Sequence, residues 1–338
     1  MTQLFKENKN KLECLLCPHY CKIMKDHAGI CGVRRNTGQT IELITYGVIS
    51  GYSLDPVEKK PLYHFFPGYN ILSLGSYGCN MRCDFCHNFS ISQNVPGFSK
   101  SKITADNLLA EAQSAEKNIG IAFTYNEPIV GFEFMMDVAE SARNALLHTV
   151  MVSNGYVNSE PLNEIIQVID AFNIDLKAFN SNFYRKLTGA RLEPVLETLK
   201  QIAASGKHLE ITTLIIPGQN DSEKEMTLQS EWIAGELGRE IPFHLSRYFP
   251  MFRRDDPATS TETLTRLFEI ASEKLDYVYM GNTHSGPGQN TNCPECGKTV
   301  TIRSGYKTTL LNLDNSGRCT ECGTLIYKNF TLSSQSES

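Results

Sequence analysis

The cysteines of this chain are the residues whose spacing says most about its chemistry. Eleven are present, and they fall into groups of four, three and four that leave none over. Four thiolates complete a tetrahedral metal site, whereas three leave one position open for another ligand. We call the groups the N-terminal set, the central set and the C-terminal set; they are Cys14, Cys17, Cys21 and Cys31; Cys79, Cys83 and Cys86; and Cys293, Cys296, Cys319 and Cys322.

The C-terminal set consists of two Cys-x-x-Cys-Gly knuckles. The glycine after each knuckle permits the tight backbone turn that surrounds a metal ion. Two such knuckles are typical of a structural zinc ribbon, and a rubredoxin-like iron site is the alternative. Residues 298–313 alternate in the manner of strands around a Ser-Gly turn, which suits a small ribbon.

The N-terminal set places four thiolates within 18 residues. Such a set can hold zinc or an iron–sulfur cluster, and the spacing alone does not choose between them. We favour zinc or another closed structural site over a second cluster. His19 lies inside the set, and we interpret it as a loop residue rather than as a replacement for one of the cysteines.

The central set has the spacing Cys-x3-Cys-x2-Cys and follows an apolar run at residues 71–74, which predicts a strand that leads into a loop. Three thiolates can bind three irons of a [4Fe–4S] cluster, which leaves the fourth iron free for the amino and carboxylate groups of S-adenosylmethionine (SAM). An electron from such a cluster cleaves the sulfonium and gives a 5′-deoxyadenosyl radical, which abstracts hydrogen. The alternative is a zinc site completed by His87.

Between the sets, the middle of the chain alternates strand-like and helix-like segments. Predicted strands cover 71–76, 120–125, 148–153, 171–177, 208–216, 241–247 and 276–281, and predicted helices cover 104–117, 131–146, 159–168, 181–188, 193–205, 221–237 and 259–274. Thr104 is predicted to cap the first of these helices. The alternation predicts an α/β fold with a parallel sheet and helical crossovers, in which site residues gather at the carboxyl ends of the strands.

The composition places the chain among ordinary globular proteins. Its 338 residues are 41% hydrophobic and 20% charged, with a net charge of −5. These values suit about two domains, and they argue against a disordered chain and against a strongly basic surface for nucleic acid. No stretch approaches the ~20 apolar residues of a membrane span. The polar, Lys-rich start and the odd number of cysteines argue against secretion, so we expect a cytoplasmic protein without a disulfide framework.

The central loop, with Phe85 directly before its last cysteine, resembles the signature of the radical SAM superfamily. The resemblance implies an incomplete (β/α)6 TIM-like barrel, open on one side, with a [4Fe–4S] cluster on the central set. It also implies SAM contacts at the strand ends. Asn126 and Glu127 occupy the place of the superfamily's Gly-Gly-Glu motif, which binds the amino group of SAM, although the glycines are replaced here.

Further motifs resemble those of glycyl-radical activases. Residues 153–155 look like their Thr-Asn-Gly, residues 175–177 match their Asp-Leu-Lys, and residues 215–218 match their apolar-Pro-Gly motif. The resemblance implies that Asn154, Asp175 and Lys177 lie near SAM; a surface ion pair is the alternative for Asp175 and Lys177. One position departs from the pattern, because Phe249 stands where pyruvate formate-lyase activase has a histidine near SAM.

From about residue 12 to residue 325, the order of motifs resembles the AmmeMemoRadiSam-system radical SAM proteins. The shared features are the N-terminal set, segment 55–64, the central loop and the terminal ribbon. Within segment 55–64, Lys59 and Lys60 either contact an anionic substrate or a partner, or simply face water. The family name implies two partners, an AMMECR-type protein and a Memo-type protein. The expected organisation is a four-cysteine metal-binding module over 1–45, a radical SAM partial barrel over 46–283, a zinc ribbon over 284–330 and a polar tail over 331–338.

The sequence therefore predicts a radical SAM enzyme of the oxidoreductase type that acts on an unidentified substrate. Its expected cofactors are a [4Fe–4S] cluster, SAM and zinc, and its expected electron donor is a protein such as flavodoxin or ferredoxin. One alternative is a glycyl-radical enzyme activase, which the two extra four-cysteine sets and Phe249 disfavour. A second alternative is a non-catalytic zinc-binding scaffold, which has no need for an incomplete ligand set at the end of a strand.

Overall fold

The chain begins with two small antiparallel sheets that carry the N-terminal set. The computed structural model describes residues 3–95, 102–283 and 287–330. In it, β1 (Phe5–Asn8), β2 (Lys11–Cys14) and β3 (Lys22–Met24) form one sheet, and β4 (Arg34–Asn36) pairs with β5 (Ile41–Leu43) in the other. Asn36 at the end of β4 donates its side-chain amide to the Ile23 carbonyl in β3, which ties the two sheets together.

A sheet of eight strands forms the centre of the molecule, and its strands lie side by side in chain order. The strands are β6 (Gly51–Pro56), β7 (Asn70–Gly75), β8 (Asn118–Phe123), β9 (His148–Ser153), β10 (Ala171–Asp175), β11 (His208–Ile215), β12 (Phe243–Arg247) and β13 (Val278–Gly281). Strands β7 to β13 are parallel, and β6 pairs antiparallel with β7 at one edge. Within the residues described, the edge strands β6 and β13 do not pair with each other, so the sheet does not close there.

Helices connect the parallel strands, as the alternating pattern predicts. They are α1 (Phe89–Ser92), α2 (Ala105–Ser114), α3 (Phe132–Asn144), α4 (Ser159–Val168), α5 (Ser181–Phe183), α6 (Leu192–Ala204), α7 (Glu223–Glu236) and α8 (Thr261–Ser272). The predicted strands and helices are confirmed with ends within three residues of their predicted positions, although segment 181–188 is a short α-helix that continues as a π-helical turn. Thr104 caps α2 as predicted, because its side-chain oxygen accepts a hydrogen bond of 3.2 Å from the Asn107 amide.

One apolar core joins the N-terminal sheets to the central sheet. Leu12 and Val33 belong to the same buried cluster as Phe123 at the end of β8. Arg34 is 1% exposed, and its guanidinium donates two hydrogen bonds of 2.7 Å to the Glu133 carboxylate on α3. A buried guanidinium needs such a bidentate partner, so this ion pair fixes the N-terminal segment against the helix layer.

The C-terminal residues form a separate three-stranded antiparallel sheet with a small core of its own. Its strands are β14 (Thr291–Asn292), β15 (Thr299–Ser304) and β16 (Lys307–Leu310). Cys293, Val300 and Tyr327 are buried together in this core. The hairpin turn between β15 and β16 lies at the predicted Ser-Gly position. The polar tail expected at 331–338 lies outside the described residues.

Among the described residues, no helix is long and apolar enough to cross a membrane.

Candidate active site

A cavity of about 520 Å³ opens at the carboxyl ends of the parallel strands. This volume lies within the roughly 300–1,000 Å³ range of small-molecule sites. The three thiols of the central set line it together with all five of the predicted SAM-contact residues, which are Asn126, Glu127, Asn154, Asp175 and Lys177. The chain delivers these side chains from the ends of four neighbouring strands, β7 to β10, because parallel strands bring their carboxyl ends to one edge.

The loop after β7 holds the central set at the wall of the cavity. Cys83 is buried, and Cys79 and Cys86 are partly buried. Burial raises the pKa of the Cys79 thiol well above its usual range and raises that of Cys83 to about 12. Buried thiols of this kind become thiolates when a metal binds them. Gly78 precedes the set with a φ of +87°, and a side chain there would meet the Cys31 carbonyl at 2.7 Å, so the loop requires glycine.

The distances between thiols within the central set differ from those within the C-terminal set. In the C-terminal set, Cys293 and Cys322 are 3.4 Å apart and Cys296 and Cys319 are 3.7 Å apart, measured between Sγ atoms. Throughout the described part of the chain, this is the one group of three or more Cys, His, Asp or Glu whose ligand atoms all lie within 4.8 Å of one another. At least two thiols of the central set are therefore more than 4.8 Å apart, which is farther than ligands of a single ion and suits a group that contains several metal atoms.

Glu127 is a buried carboxylate whose position is set by its hydrogen bonds. It accepts hydrogen bonds from the Ile129 amide at 3.1 Å, the Ser153 hydroxyl at 2.8 Å and the Asn154 amide at 2.8 Å. Burial raises the pKa of Glu127 to about 7, although these three donors oppose the rise. A positive group that binds in front of Glu127 would therefore stabilise its ionised form.

The two asparagines of the cavity hold the backbone of the central loop. Asn126 accepts a hydrogen bond of 2.9 Å from the Ser76 amide and donates one of 2.9 Å to the Gly78 carbonyl. Asn154 donates to the Asn80 side-chain oxygen at 2.9 Å, and the same nitrogen is 3.6 Å from the Cys79 sulfur. Both side chains thus connect the ends of β8 and β9 to the loop that carries the thiols.

Asp175 and Lys177 form an ion pair of 2.9 Å at the end of β10. Burial disfavours the Lys177 ammonium, but Asp175 outweighs it, and the pKa of Lys177 rises above its usual range. The pair lines the cavity, with 15% of the lysine side chain and 36% of the aspartate side chain exposed. The two residues therefore form an ion pair, and this pair faces the cavity.

Sequence reasoning missed a second group of polar side chains at this cavity. The Asp55 carboxylate accepts hydrogen bonds from Lys59 at 2.8 Å, Lys60 at 2.7 Å and the Tyr125 hydroxyl at 2.6 Å. Lys59, Lys60 and Tyr125 all line the cavity, and Lys60 is only 2% exposed. The sequence singled out the two lysines but not Asp55, since nothing in segment 55–64 shows that β6 lies beside β7. Lys60 is buried against its counter-ion rather than solvated.

The sixth parallel strand contributes Ser246 to the wall of the cavity, followed by Asn282 after β13. Phe249, which stands at the position of the activase histidine, is not among the residues that line the described cavity. Its ring instead lies 5.0 Å from the Arg247 guanidinium, whose Nε donates to the Thr259 carbonyl at 2.7 Å.

The four thiols of the N-terminal set line a second, smaller and apolar cavity. His19 also borders it, and its ring nitrogen Nε2 lies 2.7 Å from the Asn80 carbonyl oxygen. Asn80 directly follows the first cysteine of the central set, so this contact brings the N-terminal loop against the active-site loop.

Comparisons with known proteins agree with this architecture. The model of the "Radical SAM superfamily" matches residues 74–230. An uncharacterized protein of Methanocaldococcus jannaschii is 39% identical over 321 residues, which are 94% of this chain and 96% of that relative. The pyruvate formate-lyase 1-activating enzyme of Escherichia coli is 27% identical over 153 residues, which are 43% of this chain and 61% of the enzyme.

Among solved structures, SuiB of Streptococcus suis bound to S-adenosylmethionine has a TM-score of 0.52 at 15% sequence identity. The match covers 68% of this chain and 54% of SuiB. At this identity the likeness concerns the fold alone.

Proposed function

The chain belongs to the radical SAM superfamily, and from this premise we propose that it is a radical SAM enzyme whose [4Fe–4S] cluster is held by Cys79, Cys83 and Cys86. The observation that carries the proposal is the cavity that these thiols share with Glu127 and Asp175. When bound, the cluster supplies the electron that cleaves SAM to a 5′-deoxyadenosyl radical, which takes hydrogen from the substrate.

The residues present fit the cluster. Cys79 also accepts a hydrogen bond of 3.3 Å from the Met81 amide, an N–H···S contact that favours a thiolate. The Cys86 sulfur lies 3.2 Å from the Ser92 hydroxyl on α1. Two of the three thiols have such contacts, and the three do not all lie within 4.8 Å of one another, which suits a cluster with three protein ligands and one open position.

We assign SAM to the part of the cavity between Glu127 and Lys177. The Glu127 carboxylate offers an acceptor for the N–H groups of the SAM amino group, and its three donors hold it in place. Lys177 offers a partner for the carboxylate of SAM, while Asp175 orients the lysine. Asn126 and Asn154 keep the loop of the central set in position, and Asn154 is also close enough to Cys79 to face a bound group.

We propose further that the chain is an AmmeMemoRadiSam-system protein built as a partial (β/α)6 barrel over 46–283, with a metal-binding module over 1–45 and a zinc ribbon over 284–330. Support comes from the order of motifs between about residue 12 and residue 325. The relative that is 39% identical across nearly the whole chain shows only that likeness to other proteins extends well beyond the superfamily domain. The S···S distances of 3.4 and 3.7 Å in the C-terminal set suit zinc. Co-purification with AMMECR-type and Memo-type proteins from the same genome tests this assignment, and a chain that binds neither contradicts it.

A glycyl-radical activase is the second candidate function. The identity of 27% to the Escherichia coli activating enzyme favours it, but that match covers only 43% of this chain. An activase acts on the backbone of a large partner protein. A glycyl-radical signal in electron paramagnetic resonance (EPR) of a co-incubated partner would establish this function in place of a small-molecule reaction.

The test of the enzyme proposal is SAM cleavage by the full chain. After anaerobic reconstitution with iron and sulfide, dithionite and SAM are added and 5′-deoxyadenosine is measured. We expect product from the wild type and none from Cys83→Ala, because the cluster loses one of its three protein ligands. Cys296→Ser is the matched control, since it removes a thiol from the C-terminal set and leaves the cavity intact. Normal product formation by Cys83→Ala contradicts the assignment.

A further inference from the structure

The N-terminal set is built as a ligand site in its own right. Its four thiols share their cavity with apolar side chains, among them Leu16, Ile23 and Val130. Backbone amides point at three of the sulfurs: that of His19 at Cys17, that of Ile30 at Cys21, and those of Val33 and Arg34 at Cys31. Amide N–H···S bonds stabilise thiolates, and thiolates are the form that binds metals.

The C-terminal set provides a reference for the sulfur–sulfur distances expected around a single metal ion. A tetrahedral zinc site with Zn–S bonds of ~2.3 Å places its sulfurs ~3.8 Å apart. The C-terminal set matches this, with pairs at 3.4 and 3.7 Å. No three thiols of the N-terminal set lie within 4.8 Å of one another, and the same is true of the central set. A cluster places its thiolates on different irons, so their sulfurs stand farther apart than those around one ion.

A buried donor at the same cavity also lacks a partner. Arg34 lines the cavity, and its Nε is buried without a hydrogen-bond partner in the part of the chain that is described, although its two terminal nitrogens bond to Glu133. Buried N–H groups are almost always paired, so an unpaired one beside four thiols calls for an acceptor in the cavity. The four cysteine sulfurs do not pair with it here, and the sulfides of an iron–sulfur cluster would add further acceptors inside the cavity.

We propose that Cys14, Cys17, Cys21 and Cys31 hold a second [4Fe–4S] cluster, which passes electrons to the cluster of the central set. The site proposal stands on the wide spacing of four thiols around one apolar cavity and on the unpaired Arg34 donor. The relay rests in addition on the proposed radical SAM function. In this proposal a cluster takes the place of the zinc that the sequence favours at the N-terminal set.

A short path connects the two thiol sets. Asn80 lines the cavity of the N-terminal set, while its neighbour Cys79 lines the active site. His19, two residues after Cys17, contacts the Asn80 carbonyl at 2.7 Å. Arg82 forms a second bridge, because its guanidinium donates to the Cys79 carbonyl at 3.0 Å and also to the Ile30 carbonyl, next to Cys31.

The electron count of the relay is balanced. A one-electron donor protein of the ferredoxin or flavodoxin class reduces the N-terminal cluster from the 2+ to the 1+ state. That cluster returns to 2+ when it reduces the central cluster from 2+ to 1+. Each SAM that is cleaved consumes this one electron, and no proton or ligand moves between the two clusters.

Metal and sulfide content of the full chain tests the site. After anaerobic reconstitution we expect about eight irons in the wild type, about four in Cys17→Ser/Cys21→Ser and about four in Cys83→Ala/Cys86→Ala. Cys296→Ser is the matched control, which should keep about eight irons and lose its zinc. The Cys83→Ala/Cys86→Ala variant leaves the N-terminal set untouched, so it decides the question even if the N-terminal variant fails to fold.

Two results would overturn the site: about four irons with two zinc ions in the wild type, or no iron in Cys83→Ala/Cys86→Ala. EPR spectroscopy of the dithionite-reduced protein tests the relay. We expect spin–spin broadening in the wild type and single-cluster spectra in both double variants. Eight irons without broadening would refute the relay. Eight irons with broadening but without 5′-deoxyadenosine would count against the proposed function and leave the second cluster standing.

Discussion

Among single residues, Glu127 shows most clearly how the fold prepares a charge for a ligand. Its carboxylate is buried at the end of β8, and its pKa of about 7 means that near neutral pH it is divided between its charged and neutral forms. Burial disfavours the charge and three hydrogen-bond donors favour it, so the balance is close. A ligand amino group that donates hydrogen bonds to Glu127 would favour the charged carboxylate, so the ionised form of Glu127 is the one that contributes to binding.

Glu127→Gln should therefore weaken SAM binding. The amide cannot carry the charge, and its NH2 group replaces one of the two oxygens, so it faces either the Asn154 amide or the Ile129 amide instead of accepting from it. A hydrogen bond to a charged group contributes about 1.5–3 kcal/mol, which corresponds to a loss of roughly ten- to a hundredfold in affinity. Equilibrium dialysis of SAM against the anaerobically reconstituted protein measures this affinity.

Glu225→Gln is the matched control for that experiment. Glu225 also accepts a hydrogen bond from a backbone amide, that of Phe179 at 2.8 Å, but it is not part of the described cavity wall. We expect its SAM affinity to equal that of the wild type. Unchanged affinity in Glu127→Gln would contradict the assignment of Glu127 to SAM.

At the scale of elements, β11 connects the base of the central sheet to the connector between β6 and β7. Glu210 near the start of β11 accepts hydrogen bonds from the amides of Tyr63 at 3.0 Å and His64 at 2.7 Å, and it contacts the rings of His208 at 2.9 Å and His244 at 2.6 Å. This end of the strands is opposite to the cavity. We therefore expect Glu210 to stabilise the fold rather than to take part in the reaction.

The protonation of this cluster gives the fold a dependence on pH. Burial disfavours the Glu210 carboxylate, but the hydrogen bonds with His208 and His244 outweigh it and hold the pKa of Glu210 well below its usual range. Burial lowers the pKa of His64 to about 3. Both pKa values are lower in the folded than in the unfolded state, so acid favours unfolding. His64 contributes this loss below pH ~6.5, and Glu210 adds to it below pH ~4.5.

Glu210→Gln should lower the free energy of unfolding at pH 7 by about 3 kcal/mol. The reason is that two backbone amides and two histidine rings lose the buried carboxylate with which they form hydrogen bonds. Its stability should also fall less steeply than that of the wild type below pH 4.5. Urea unfolding at pH 7, 5 and 4 measures both effects. The exposed pair of Glu236 and Lys200, 2.6 Å apart, provides the control, since Glu236→Gln should cost less than about 1 kcal/mol. A Glu210→Gln variant as stable as this control would refute the structural role.

At the scale of the whole molecule, the C-terminal sheet docks on the connector between β6 and β7, far along the chain from the residues it contacts. The Arg303 guanidinium donates to the Tyr63 carbonyl at 2.9 Å and lies 4.1 Å from the centre of the Tyr63 ring. The Thr308 hydroxyl donates to the Glu58 carboxylate at 2.6 Å. The small sheet that carries the four cysteines thus packs against the base of the central sheet, while the cavity lies at the other end of the strands.

The zinc site proposed at the C-terminal set therefore predicts a variant that loses local stability but keeps its activity. Cys296→Ser should lower the zinc content by about one ion per chain and make residues 287–330 sensitive to limited proteolysis. Formation of 5′-deoxyadenosine should persist, because no residue of the cavity comes from this sheet. Mass spectrometry of the fragments locates the cleavage. A variant that resists protease like the wild type, or one that loses SAM cleavage while residues 3–283 stay folded, would contradict this division.

The sequence by itself determined the features that are local in the chain. The spacing of each cysteine set, the alternation of apolar strands with amphipathic helices and the cap at Thr104 depend on residues a few positions apart, and the structure confirms the elements they predict. The gathering of the five predicted residues with the central set also followed, because in a parallel sheet the carboxyl ends of successive strands meet at one edge.

Only the tertiary structure decided the contacts between distant segments. The Asp55 carboxylate meets Tyr125 because β6 adds to the sheet edge antiparallel to β7, and no local pattern specifies that pairing. The ion pair of Arg34 and Glu133, which fixes the N-terminal segment against α3, joins residues 99 positions apart in the chain. Residue spacing names the ligands a site can have, but the distances between their sulfur atoms, which decide between one ion and a cluster, are set by the packing of the whole fold.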